Sequence, residues 1–169
     1  KLDLALPLYE ETLKLMKAML GPDHSETLNG MHNLAVAYRK AGKLDLALPL
    51  FEETLKLRKA KLGPDHPDTV STMNSLAFGY QTDGKLNKAL PLYEQAAAGM
   101  EKRQYLHEHA RVIINNTIAA YTKAKQFDKA DEWRRKWQAF NKQGTKLAAN
   151  VHDAARALEL NGKLEPGVA

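Results

Sequence analysis

Three observations in the amino-acid sequence predict an all-α solenoid of stacked antiparallel helix pairs. The first is internal repetition: Lys1-Leu-Asp-Leu-Ala-Leu-Pro-Leu8 recurs as Lys43-Leu-Asp-Leu-Ala-Leu-Pro-Leu50, and Gly21-Pro-Asp-His24 recurs as Gly63-Pro-Asp-His66, both 42 residues on. Aligning residues 1–42 with 43–84 leaves 27 identities, which chance does not supply. The second is helical periodicity, since Leu44, Leu48, Phe51, Leu55 and Leu62 fall on one face of a 3.6-residue period. The third is punctuation by Gly, Pro and Asp at the ends of each periodic stretch.

Taken in order, residues 2–20 form a lone helix that ends at Gly21-Pro22. Pairs then follow over about 26–41 with 44–62, 67–82 with 86–102, and 107–124 with 127–140. In the first helix of the unit that starts at Lys43, Asp45 suits the N-terminal turn and Pro49 stands close to it, so a bent or frayed start is expected rather than a break. Pro67 fits a first helical position, Val70, Met73, Leu76, Ala77 and Tyr80 make the apolar face, and Asp83-Gly84 ends the segment. The third copy opens at Lys85-Leu86 and then drifts, with Gln104-Tyr-Leu-His-Glu-His109 in place of the Gly-Pro-Asp-His turn and one residue fewer. Tyr38, Tyr80 and Tyr121 mark one position in three copies, and a degraded fourth start lies at Gln126-Phe127-Asp128-Lys129-Ala130. Residues 1–140 are thus expected to be the array. A capping helix is expected over 141–160, with Leu147, Val151, Ala154 and Leu158 on one side, and a loose tail over 161–169. A single hairpin cannot bury both faces of its helices, whereas stacked neighbours cover one another.

The bulk numbers fit this. With 44% hydrophobic residues among 169, the chain can bury a substantial apolar surface. It has no cysteine, which excludes disulfides and thiolate metal sites and fits a reducing, cytoplasmic setting. The longest apolar runs, such as Val112-Ile113-Ile114, fall far short of a membrane span, so no membrane partner is expected. The chain begins at Lys1 with no signal-peptide pattern, and reads as a piece of something longer. The net charge of +5 is uneven: residues 1–100 balance, while residues 101–150 carry 11 basic and 5 acidic side chains. That basic third reads as a solvated helix face. Nucleic acid is not expected as a partner, because neither exposed stacking aromatics nor a groove-entering motif accompanies the charge.

The sequence offers no catalytic or metal-binding constellation. His24 and His66 lie a repeat apart, each on its own turn, and read as turn or capping residues rather than metal ligands. His107 and His109 are two apart on a helix, which points their rings away from each other. Glu10-Glu11 and Glu52-Glu53 recur because the repeat does, and adjacent helix positions do not make an acid/base pair. There is no phosphate loop or nucleophile motif, so no cofactor, no metal and no enzymatic activity are expected. Trp133, Trp137 and Phe140, at i, i+4 and i+7, read as core against the capping helix, with Arg134-Arg135-Lys136 facing outward.

These residues resemble a known family. Leu34-Ala35-x-x-Tyr38, followed by Ala47 and Phe51, is similar to the tetratricopeptide repeat pattern. The 42-residue spacing, the Leu-Gly-Pro-Asp-His turn and Asn33-Leu34-Ala35 resemble its kinesin-light-chain variety, which also occurs in bacterial multidomain proteins, some of them kinase-linked. The resemblance covers residues 1 to about 137. It implies a right-handed superhelix whose first helices line a concave groove for an extended peptide. Carried onto this sequence, the groove positions are Asn29, His32, Asn33, Val36 and Arg39, then Ser71, Asn74, Ser75, Phe78 and Gln81, then Val112, Asn115, Asn116, Ala119 and Thr122. A carboxamide suits the task because it donates to a peptide carbonyl and accepts from a peptide N–H at once. On this basis Asn74→Ala with Asn115→Ala is expected to remove peptide binding and leave melting nearly unchanged. The family's readers of C-terminal carboxylates use lysine, asparagine and arginine where this chain has His32, Val36, Ser75, Val112 and Asn116, so that ligand class is not expected. The expected partner is a peptide or protein segment. The alternative is a spacer or self-association module within a larger protein.

Overall fold

The computed structural model describes residues 2–102, 108–139 and 142. Within them the chain forms α1 (Leu2–Leu20), α2 (Ser25–Lys40), α3 (Leu44–Leu62), α4 (Pro67–Thr82), α5 (Leu86–Lys102) and α6 (Glu108–Lys123). A seventh helix, α7, covers residues 127–139. The expected capping helix, the tail and Phe140 lie outside the described residues.

Local chemistry sets the boundaries. His24 and His66 are the N-caps of α2 and α4: each ring accepts at Nδ1 from the backbone N–H two residues on, that of Glu26 and of Asp68, both at 3.2 Å. The repeated Asp-His turn is therefore a capping device, with histidine where serine or aspartate is usual. Gly63 closes α3 with φ +88° and Gly84 follows α4 with φ +76°, left-handed conformations that favour glycine. The third copy breaks this rule, because Lys125 takes the place of Gly42 and Gly84 and keeps a left-handed φ of 57°. Pro7, Pro49 and Pro91 lie inside α1, α3 and α5 without ending them.

Each helix packs on the next, so the core is a continuous seam. Ala35, Ala47, Phe51, Ala77, Ala89, Tyr93, Ala120 and Ala130 are completely buried along it. The alanines let neighbouring helices approach closely, and the aromatic rings fill the space between layers. Trp133 is buried in this seam and Trp137 packs against it, while Arg134, Arg135 and Lys136 face outward. Curvature follows from which helices touch: α2 meets α4 and α4 meets α6, whereas α1, α3 and α5 make no such contacts with one another. An array whose alternate helices touch on one side only bends toward that side. The α2–α4–α6 face is therefore the inner, concave one.

Candidate functional site: the face of α2, α4 and α6

All fifteen positions carried onto the groove lie on α2, α4 or α6. They differ in how much of each side chain remains available. Asn33, Phe78, Val112, Asn115, Ala119 and Thr122 are exposed. Asn29, His32, Val36, Arg39, Ser71, Asn74, Ser75, Gln81 and Asn116 are half-buried.

Several of the half-buried polar groups are engaged inside the protein. Arg58, on α3, is almost fully buried. Its guanidinium donates through Nη1 to the Asp68 carbonyl at 2.9 Å and to Thr72 Oγ1 at 2.7 Å, and through Nη2 to Asn29 Oδ1 at 2.5 Å. One acceptor position of the Asn29 carboxamide is thus taken by a buried cation. Thr72 gives its one proton to the Asp68 carbonyl at 2.7 Å. His32 Nδ1 stands 3.4 Å from the same Thr72 oxygen. The His32 ring also meets the Phe51 ring edge-on, with centroids 5.6 Å apart. Burial, then the charges of Arg58 and Arg39, opposed by Asp68, push its pKa down to about 4. His32 is therefore a neutral wall residue near pH 7.

A second link ties α6 to α4, where Asn116 Nδ2 donates to Asn74 Oδ1 at 3.0 Å. This corrects the expectation for the Asn74 and Asn115 pair: Asn115 is exposed, but Asn74 holds two helices together, so Asn74→Ala costs stability as well as any ligand contact. Further along the face, the Arg39 guanidinium lies over the Phe78 ring, 4.7 Å from its centroid, with its Nε buried and without a hydrogen-bond partner. Burial lowers the Arg39 pKa, and nearby Tyr93 opposes the shift. Tyr93 in turn donates to Gln81 Oε1 at 3.0 Å. The free part of the face is thus a row of exposed Asn33, Phe78, Asn115 and Val112, with Arg39 stacked among them.

A different feature escaped the sequence reading. The hydroxyl of Tyr38 donates to Glu10 at 2.7 Å, and the hydroxyls of Tyr80 and Tyr121 donate to Glu52 and Glu94. Each bond ties a helix to the one before it: α2 to α1, α4 to α3 and α6 to α5. Burial first, and then the glutamate that accepts the bond, raise the Tyr38 and Tyr80 pKa values to about 12 and raise that of Tyr121 as well. The glutamates set aside as unsuited to acid/base work are therefore structural acceptors. A cleft of about 380 Å³ opens beside this bond, lined by Leu44, Leu48, Pro49, Glu52, Tyr80 and Lys88, among others. It includes none of the groove positions.

A family model described as tetratricopeptide repeat matches residues 1–60 and 26–102. No curated protein matches the chain. Among solved structures, the chain is similar to BtubC (BKLC) from P. vanneervenii, with 23% identity and a TM-score of 0.73 over 88% of this chain. It spans 58% of the length of that protein. It is also similar to a Podosopora anserina protein of the kinesin light chain kind with nearly identical TPR-like repeats, at 26% identity and a TM-score of 0.76 over 96% of this chain and 80% of the other. A point-substituted form of the latter gives 26% identity and a TM-score of 0.77 over the same shares.

Proposed function

Because the chain belongs to the tetratricopeptide repeat family, whose members are in general protein–protein interaction modules, we propose that its concave face binds an extended peptide or protein segment. The observation that carries this reading is the exposure of Phe78 and Val112 beside Asn33 and Asn115 on the inner face of the array. Apolar side chains left in water on a concave surface, next to free carboxamides, suit a ligand that brings both apolar side chains and backbone amides. Arg39, held flat by Phe78, adds a preorganised cation whose ordering cost is already met. Val36, Ser71, Ser75, Ala119 and Thr122 are small and leave room for a chain to lie along the face.

The role is binding rather than catalysis, in keeping with a family of scaffolds. A cytoplasmic site fits the cysteine-free composition, and none of the helices among the described residues is long and apolar enough to cross a membrane. The test is a peptide-display selection against the purified chain and against an Asn33→Ser, Phe78→Ser, Asn115→Ser variant. An enriched motif that the variant fails to retain supports the groove. Enrichment that the variant retains in full places the binding surface elsewhere and overturns the reading.

A further inference from the structure

The cleft beside the Tyr80–Glu52 bond owes room to one residue. Gly79 lies inside α4, where the flanking copies carry Ala37 and Ala120. Glycine in a helix interior costs about 0.5–1 kcal/mol relative to alanine, and no left-handed φ calls for it here. A Cβ at Gly79 would stand 2.8 Å from Leu48 Cδ2. Leu48 therefore leans onto the space that alanine fills in the other copies, and what it vacates belongs to the cleft it lines. At about 380 Å³ the cleft falls in the roughly 300–1,000 Å³ range of ligand sites.

Its chemistry is lopsided. Leu44, Leu48, Pro49 and the Tyr80 ring supply an apolar wall. Pro49 has no N–H to give the Asp45 carbonyl four residues earlier, and both residues border the cleft, so an open acceptor stands beside the Asp45 carboxylate. Among the described residues that carboxylate has no hydrogen bond or ion pair. Glu52 accepts one proton from Tyr80 and keeps a second oxygen. Asp83 and Lys85 neutralise each other at 2.6 Å. The remaining cation is Lys88, which lies over the Tyr80 ring, 5.2 Å from its centroid. Asp45 and Glu52 against Lys88 leave the cleft one uncompensated negative charge.

We propose that this cleft seats one arginine side chain of a partner polypeptide. The guanidinium meets the Asp45 carboxylate and the open carbonyl, separate acceptors that suit a planar fork of N–H groups better than a point charge. Its methylene stem lies on Leu48 and Pro49. The site is apart from the concave face, and the proposal stands whether or not that face binds a peptide.

The probe is N-acetyl-arginine amide, titrated into the whole chain and followed by backbone amide shifts. Saturable shifts within residues 44–52 and 80–88 are expected, with affinity about tenfold weaker for the lysine analogue, which lacks the fork. Gly79→Ala pushes Leu48 back into the cleft and is expected to weaken binding about fourfold, the worth of roughly one buried methylene. Its helicity holds, because Ala37 and Ala120 show that alanine fits this place. Asp45→Asn, at an exposed position, is expected to weaken binding about tenfold, the worth of one charge-assisted hydrogen bond. No saturable binding overturns the proposal, as does equal binding of the arginine and lysine compounds, or binding indifferent to either variant. Free arginine binding more tightly than the blocked form also overturns it, because the cleft then serves a small molecule rather than a partner chain.

Discussion

His32 makes the stability of the array depend on pH in a way its own repeats can calibrate. In the unfolded chain its pKa is near 6.5, and in the folded chain burial, with Arg58 next, brings it down to about 4. Between these values the unfolded state takes up a proton that the native state refuses. Stability contributed by neutral His32 is therefore complete above about pH 6.5 and is lost as pH falls toward 4. The two values differ by 2.5 units, which sets a ceiling of roughly 3 kcal/mol at 1.36 kcal/mol per unit. The control is supplied by the sequence, because the same position is Asn74 in the second copy and Asn115 in the third. His32→Asn keeps a polar side chain that fits the site and does not titrate. Urea unfolding followed by circular dichroism, at about pH 7 and about pH 4.5, gives the comparison. The wild-type chain is expected to lose about 2 kcal/mol more than His32→Asn across that interval, with the carboxylate contribution cancelling between them. Equal losses in the two proteins refute a buried neutral His32.

Three further outcomes follow from the same repeat logic. Arg58 stands where the flanking copies have Met16 and Met100, so Arg58→Met is expected to alter stability by less than about 1 kcal/mol, whereas Arg58→Ala costs roughly 3 kcal/mol by opening a cavity. Arg58→Met also raises the His32 pKa, read from its ring resonances by NMR, because a neighbouring positive charge is gone. Tyr80→Phe removes the bond to Glu52 and is expected to cost about 1 kcal/mol in urea unfolding, with little change in helicity. Lys125→Gly relieves a left-handed lysine and is expected to stabilise the chain by up to about 1 kcal/mol, seen as a raised melting temperature.

The helices were legible because their signals are local. Periodic leucines, Gly63-Pro64 and Pro67 place α3 and α4 with the bounds expected, and α2 differs by one residue at each end. His24 and His66 were legible as capping residues because each sits one place ahead of a periodic stretch. The site was legible only as a set of positions. Helical periodicity puts His32, Asn74 and Asn115 at one register and Asn29 one turn before it on the same side, but an inner helix faces both solvent and its neighbours, and the period does not separate the two. Asn29 turned out to serve Arg58 and Asn74 to serve Asn116, contacts across units that depend on how closely the helices stack. The tyrosine–glutamate bonds had a visible trace, since Glu10 with Tyr38 and Glu52 with Tyr80 share a separation of 28 residues. The Met16, Arg58, Met100 alternation was visible as well, as a charge placed in an apolar register.

That the α2–α4–α6 face holds a peptide is tested most directly by amide chemical-shift mapping with a peptide enriched by selection. Perturbations concentrated at Asn33, Arg39, Phe78, Asn115 and the residues around them are the predicted result. Perturbations confined to α1, α3 or α5, with those amides unmoved, would contradict it.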